Sequence, residues 1–211
     1  MTNDPTFWNN AARKYAASPV GNEAAYHRKL AMTQKLFSPD SVIAEFGCGT
    51  GTTALHHAPH VNHVWATDGS EKMIEIAWDK ARQAGIENVL FEVADIDDYL
   101  PEPGRYDVVM MHSLLHLLKD RRSAIRKAGE MLKPGGYFVT NTVCLTGLWR
   151  FIWPVIGFMR LFGQAPLLKF FSGEALARDI EAAGFAIEEF WKPDNGVAVF
   201  IIAQKPASAD T

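Results

Sequence analysis

Between residues 42 and 51 an apolar run breaks into three glycines at alternate positions: Val42-Ile43-Ala44-Glu45-Phe46-Gly47-Cys48-Gly49-Thr50-Gly51. Val42 to Phe46 reads as a short buried strand, entered through a turn at Pro39-Asp40. Glycines allow a sharp reversal there and leave no Cβ between the backbone and a ligand. A helix starting near Thr52 points its free N–H groups back into the turn. Strand, tight turn and helix together predict a ligand held against the carboxyl end of the strand. Several kinds of nucleotide-binding fold share this signal.

Further apolar runs narrow it. Val64-Trp65-Ala66-Thr67-Asp68 ends in a carboxylate about 20 residues after the glycines, where doubly wound sheets place the acceptor of ribose hydroxyls. Val89 to Val93 leads to Ala94-Asp95, and Tyr106 to Met111 leads to His112. Leu132-Lys133-Pro134-Gly135-Gly136 turns into Tyr137 to Thr140, with Lys133 expected to point outward. Ala186 to Trp191 and Val197 to Ala203 read as an antiparallel hairpin at the sheet's edge. The spacing Glu45-x-Gly47-x-Gly49-x-Gly51 departs from the dinucleotide fingerprint G-x-G-x-x-G/A, which makes an NAD-dependent oxidoreductase the weaker alternative.

Over residues 40 to 205 this order resembles the class I S-adenosylmethionine-dependent methyltransferases of small-molecule type. The resemblance implies an α/β fold: a single doubly wound, Rossmann-like, seven-stranded sheet with an antiparallel terminal strand. Residues 1–38 would be an N-terminal helical cover, and 39–205 the S-adenosylmethionine-binding domain, including an apolar helical insertion after strand five at 147–171. S-adenosyl-L-methionine is the implied cofactor. Glu45, Gly47, Cys48, Gly49 and Gly51 would form its turn, and Asp68 and Gly69 would meet the ribose. Asp95 would bond the adenine amino group while Ile96 and Met73 cover the ring, although Met73 reads equally as helix core. Tyr15 corresponds to a family tyrosine near the methionine end, with Tyr26 and His27 as lesser candidates.

Alkylation of an oxygen, thiol or reactive carbon needs a base near the methyl group, and histidine has a suitable pKa range. His112, just beyond strand four, and His116, one helical turn later on the same face, are the candidate bases; His112 is also a candidate cofactor contact. Both can instead serve packing alone. The expected acceptor is small and largely apolar: a phenol, a quinone or isoprenoid precursor, or a lipid amine. A non-catalytic S-adenosylmethionine-binding module is the alternative from a different class. Met111-His112-Ser113-Leu114 stands where an Asn-Pro-Pro-Tyr-type motif would signal methylation of DNA bases or protein amides.

Composition excludes some partners. A chain of 211 residues can bury one α/β core, and a formal net charge of -3 gives no electrostatic grip on nucleic acid. His56, His57, His60 and His63 read as surface residues of a helix end and loop, so no metal is expected. Cys48 and Cys144 have no ligand spacing, and the amino-terminal residues lack a signal-type apolar core; a reduced, cytoplasmic protein is the expectation, as monomer or homodimer. The stretch 147–171 is apolar on two faces, with Trp149, Trp153 and Ile156 opposite Phe151, Val155, Phe158 and Phe162. Three readings follow: a helical pair completing the core or a dimer contact, a lid over the acceptor, or a peripheral contact with the inner face of a membrane through Arg150, Arg160 and Lys169.

Overall fold

In the computed structural model, residues 5–100, 102–145, 158, 165–193 and 196–207 are described. Helices α1 (Pro5–Ala17) and α2 (Glu23–Gln34) precede β1 (Val42–Phe46), α3 (Thr52–His57), β2 (His63–Asp68), α4 (Glu71–Ala84) and β3 (Val89–Val93). Then come β4 (Tyr106–His112), α5 (Arg121–Met131), β5 (Leu132–Val143), α6 (Gly173–Ala182), β6 (Ala186–Trp191) and β7 (Ala198–Gln204). The apolar runs thus become the strands of one seven-stranded sheet, ordered β3-β2-β1-β4-β5-β7-β6. Strands β1 to β5 pair in parallel, while β7 runs antiparallel to both β5 and β6. This is the doubly wound Rossmann-like sheet with its reversed terminal strand. The order reverses between β1 and β4, and the crevice at such a switch point is where open α/β sheets bind ligands.

Side-chain alternation divides the core into two layers. Ile43, Val64, Val108, Met110 and Val139 pack with Ala54, Ile74 and Ala77 on the α3–α4 side. Ala44, Phe46, Val109, Met111 and Phe138 pack with Ile125, Ala128, Leu176 and Ile180 on the α5–α6 side. The period of two therefore directs Glu45, His112 and Asn141, two residues beyond Ile43, Met110 and Val139, toward the α3 side at the strand ends. Nothing apolar could replace those three without losing the polar character of the crevice.

Local chemistry fixes the helix ends. Ser70 Oγ accepts from Met73 N at 3.2 Å, and Gly85 closes α4 with φ 63. Asn9 seats α1 on this helix: its Oδ1 accepts from Ser70 Oγ at 2.6 Å and from Lys72 N at 3.2 Å. At the opposite end of the sheet, Lys133 departs from its outward expectation. Its Nζ donates to both oxygens of Asp107 at 2.8 and 2.9 Å, and Asp107 Oδ2 also accepts from Val42 N at 2.8 Å. The pair fastens β5, β4 and β1 at their amino ends.

Apart from Phe158 and residues 165–171, the insertion expected over 147–171 lies outside the described residues, and so do the tryptophans on which its lid and membrane readings rest. Its far end is pinned: Lys169 N donates to His116 O at 2.8 Å, and buried Phe171 lies under the Arg121 guanidinium at 4.1 Å. Among the described residues no helix is long and apolar enough to cross a membrane, and no cluster of three His, Cys, Asp or Glu side chains could hold a metal ion.

Candidate active site

The turn after β1 is tied to its neighbour by backbone bonds. Cys48 N donates to Thr67 O at 2.9 Å, and Gly49 N donates to Asp68 Oδ2 at 2.9 Å. Its glycines serve different ends. A Cβ on Gly49 would approach the Tyr15 ring at 3.7 Å, an ordinary contact at the edge of the crevice. One on Gly51, where φ is 73, would lie 2.7 Å from Phe91 Cζ and 2.8 Å from Ala77 Cβ. Gly51 is thus demanded by the packing of the turn on α4 and β3, and it lines neither of the two cavities described next.

The larger cavity, about 440 Å³, opens over the ends of β2 and β3 and is lined by Asp68, Gly69, Met73, Asp95, Ile96 and His116 among others. Its carboxylates are held before any ligand arrives. Asp68 Oδ1 accepts from Ser70 N at 2.8 Å while Oδ2 takes the Gly49 N–H, so each oxygen keeps acceptor capacity toward the cavity. Burial raises the Asp68 pKa, and these two backbone donors oppose the rise. Asp95 Oδ1 accepts from Asp97 N at 3.0 Å. The loop that follows is clamped by Lys127, whose Nζ donates to the carbonyls of Ile96, Asp97 and Tyr99 at 2.7, 2.7 and 2.9 Å. Met73 is buried and also lines the cavity, so its two sequence readings coincide. A Cβ on Gly69 would meet nothing within 4 Å, leaving the floor open beside Asp68.

A second cavity of about 370 Å³ lies under α2 and is lined by Glu45, Cys48, His57, Lys29, His112 and Asn141. Among the described residues, five buried polar atoms of its lining have no partner: Glu45 Oε2, both ring nitrogens of His57, His112 Nδ1 and Asn141 Oδ1. Burial, with the Asp68 charge behind it, pushes the Glu45 carboxyl up to about 8, against a bond from the Ala54 N–H. Burial lowers His57 and His112 to about 3 each. Both rings are neutral at pH 7. His57 is the clearest departure from the sequence reading, which left it with His56, His60 and His63 at the surface. It is 0% exposed, and its ring meets Phe37 edge-on at 5.0 Å. Burial also raises the pKa of Cys48, which makes it a poor thiolate nucleophile.

Tyr15, Gly47, His112 and Ser113 line both cavities and mark where they join. His112 is the last residue of β4 rather than the first beyond it. The expected helical turn from His112 to His116 does not form. Ser113 takes a left-handed φ of 52 with its N donating to Asn141 O at 2.7 Å, and a single 3₁₀ turn, Leu115–Leu117, follows. Both histidines still reach the larger cavity, but only His112 reaches the junction. His116 is buried and lowered to about 4 by that burial. Of the lesser candidates, Tyr26 lines the smaller cavity, its hydroxyl 3.5 Å from Thr53 Oγ1, and His27 lines neither.

An adenosine-bearing group fits the larger cavity on three observations: an oriented carboxylate at the end of β2, an open glycine beside it, and apolar cover from Met73 and Ile96. The comparisons agree with this geometry. Residues 43–136 match the model of a methyltransferase domain family. An uncharacterized methyltransferase of Bacillus subtilis, YcgJ, is 30% identical over 140 residues, covering 66% of this chain and 54% of that protein. Its crystal structure superposes with a TM-score of 0.71 over 87% of this chain and 100% of the solved chain, at 17% identity. The 27-O-demethylrifamycin SV methyltransferase of Amycolatopsis mediterranei is 40% identical over 98 residues, 44% of this chain and 35% of that one. The chain therefore spans about half or less of these two relatives. A demethylmenaquinone methyltransferase of Leptospira interrogans is 27% identical over 227 residues, 95% of this chain and 91% of that protein.

Proposed function

Since this chain belongs to the class I S-adenosylmethionine-dependent methyltransferase family, we propose that it transfers a methyl group to a small acceptor with a largely apolar body. The observation that carries this reading is Asp68, buried at the end of β2 with each oxygen already bound by one turn N–H and each still able to accept. Asp68 would hold the ribose hydroxyls, Asp95 the adenine amino group, and Met73 and Ile96 the ring faces. Tyr15, over the junction, would cover the methionine end. When bound, S-adenosylmethionine supplies an electrophilic methyl group carried on a sulfonium.

The chain's own work is to orient the acceptor, exclude water and hold the departing proton. His112 has an unpartnered Nδ1 at the junction of the two cavities and is neutral at pH 7. Burial lowers its basicity to about 3, so it would hold the proton of an acceptor hydroxyl or thiol in a hydrogen bond accepted at that atom rather than carry it away. His116 would wall the larger cavity, with its backbone carbonyl holding Lys169. The apolar part of the acceptor agrees with the substrates named for two relatives, a demethylrifamycin and a demethylmenaquinone. Titration calorimetry with S-adenosylmethionine, S-adenosylhomocysteine and NAD tests the assignment: the first two should bind and NAD should not. Binding of NAD alone would sink it.

A further inference from the structure

We propose that Asn9 is a positioning residue for the cofactor's ribose: docked from α1 on the amino end of α4, it fixes Ser70, and through Ser70 the Asp68 carboxylate. This rests on the larger cavity being the cofactor site, with Asp68 as its ribose acceptor. The bonds run without a break from the cover to the turn after β1. Asn9 Oδ1 accepts from Ser70 Oγ at 2.6 Å, Ser70 N donates to Asp68 Oδ1 at 2.8 Å, and Asp68 Oδ2 accepts from Gly49 N at 2.9 Å. Ser70 is 1% exposed, so with α1 in place its hydroxyl proton has Asn9 as its partner rather than bulk water.

Hydrogen-bond capacity explains why this serine needs a partner from outside its own helix. A hydroxyl has one proton and two lone pairs. Ser70 Oγ uses a lone pair on Met73 N at 3.2 Å, the N-cap bond of α4, and its proton is left to be placed. Asn9 Oδ1 takes that proton, and also accepts from Lys72 N at 3.2 Å. Two of the amino-terminal N–H groups that a helix cannot bond for itself are thus met, one by Ser70 and one by a residue of another helix. Held on both sides at φ −96 and ψ 115, Ser70 keeps its N–H on Asp68. The helix that carries Asn9 also brings Pro5, Trp8 and Tyr15 to the wall of the larger cavity. Docking of the cover and setting of the ribose carboxylate are therefore one event. Linkage makes the coupling reciprocal: a ribose held by Asp68 holds α1 down in turn.

A ligand missing one hydroxyl separates positioning of the carboxylate from general support of the fold. S-adenosylhomocysteine and its 2′-deoxy analogue are titrated by calorimetry into the wild type, Asn9→Ala, Ser70→Ala and the double variant. The wild type should prefer the full ribose about tenfold, the worth of one hydrogen bond to a charged group. In Asn9→Ala that preference should shrink to about threefold or less, while affinity for the deoxy analogue changes less than about twofold. Ser70→Ala should shrink it likewise, and the double variant should lose no more than either single one, because both act on the same carboxylate. Amide exchange reads the reverse direction: S-adenosylhomocysteine should slow exchange over residues 5–17 about tenfold in the wild type and less than about threefold in Asn9→Ala. A full tenfold preference kept in Asn9→Ala would overturn the proposal. So would equal losses for the two ligands, which would make Asn9 a support of the fold alone, or additive losses in the double variant. A wild type that binds both ligands alike would remove the ribose role of Asp68 and this proposal with it. A wild type that binds neither would bring down the cofactor reading itself.

Discussion

The two cavities at the carboxyl edge of the sheet share a wall, yet they treat their polar groups oppositely. Around Asp68 and Asp95 the backbone has already claimed one lone pair of each engaged oxygen, and Lys127 holds the adjoining loop by three carbonyls. Beneath α2, Glu45 Oε2, both His57 nitrogens, His112 Nδ1 and Asn141 Oδ1 have no partner among the described residues. Orientation by fixed backbone donors suits a ligand that never varies, because the ordering cost is met during folding. The difference divides the crevice into a half oriented in advance beside Asp68 and a half beneath α2 whose polar atoms await a partner.

The largest effect should come from beneath both cavities. Gly51→Val forces a Cβ against Phe91 and Ala77 at a left-handed position, and stability should fall by about 3–5 kcal/mol in urea denaturation. Unchanged stability would mean the turn can slide, and the fixed character of the aspartate side would go with it. Next, Asp68→Ala should lower S-adenosylhomocysteine affinity in titration calorimetry roughly 10- to 100-fold, about 1.5–3 kcal/mol. An unchanged affinity would remove the ribose role given to this carboxylate.

The open cavity should announce itself in pH. Glu45 has a folded pKa near 8, above its unfolded value, so its contribution is full below the unfolded value and is lost as pH rises through about 8. His57 and His112, lowered to about 3, favour the fold when neutral, and that contribution is lost as pH falls from the unfolded value near 6.5 toward 3. Stability of the free protein should therefore peak near pH 6.5 and drop by about 2 kcal/mol toward pH 8. Glu45→Gln should flatten that drop. A smaller effect is expected on the fixed side: Lys127→Met frees three carbonyls, and S-adenosylhomocysteine affinity should fall about fivefold, near 1 kcal/mol. An unchanged affinity would mean that the loop keeps its place without the clamp.

Most of the aspartate side could be read from the chain, because its signals are local. Strand ends, a positive-φ turn, an acid at a fixed distance and the Ser70 cap all depend on neighbours within a few residues. The histidine side depends on contacts between distant segments. His57 sits in a run that looks solvated, and only the approach of Phe37 and α2 buries it. Asn141 lies beside His112 through the β4–β5 register, which a single chain does not display. Gly51 shows the same limit from another angle: its need for glycine was legible, but the reason lies in Phe91, forty residues on. The helical spacing of His112 and His116 failed because Ser113 adopts a left-handed conformation that its residue type does not announce.

The placing of β7 between β5 and β6 has a consequence for synthesis. β6 leaves the ribosome first, but the pairing described for it is with β7 alone. Until Ala198–Gln204 emerges, β5 shows the open edge on which Tyr137 to Val143 will later pair, and β6 has no ladder to join. A nascent chain arrested before residue 198 thus carries an unfilled place in its sheet, bordered on one side by the twelve-residue strand β5. Such an edge is a template for pairing with other chains. Its closure waits on β7, so the stretch of translation between β5 and β7 leaves this edge open to aggregation and to capture by chaperones.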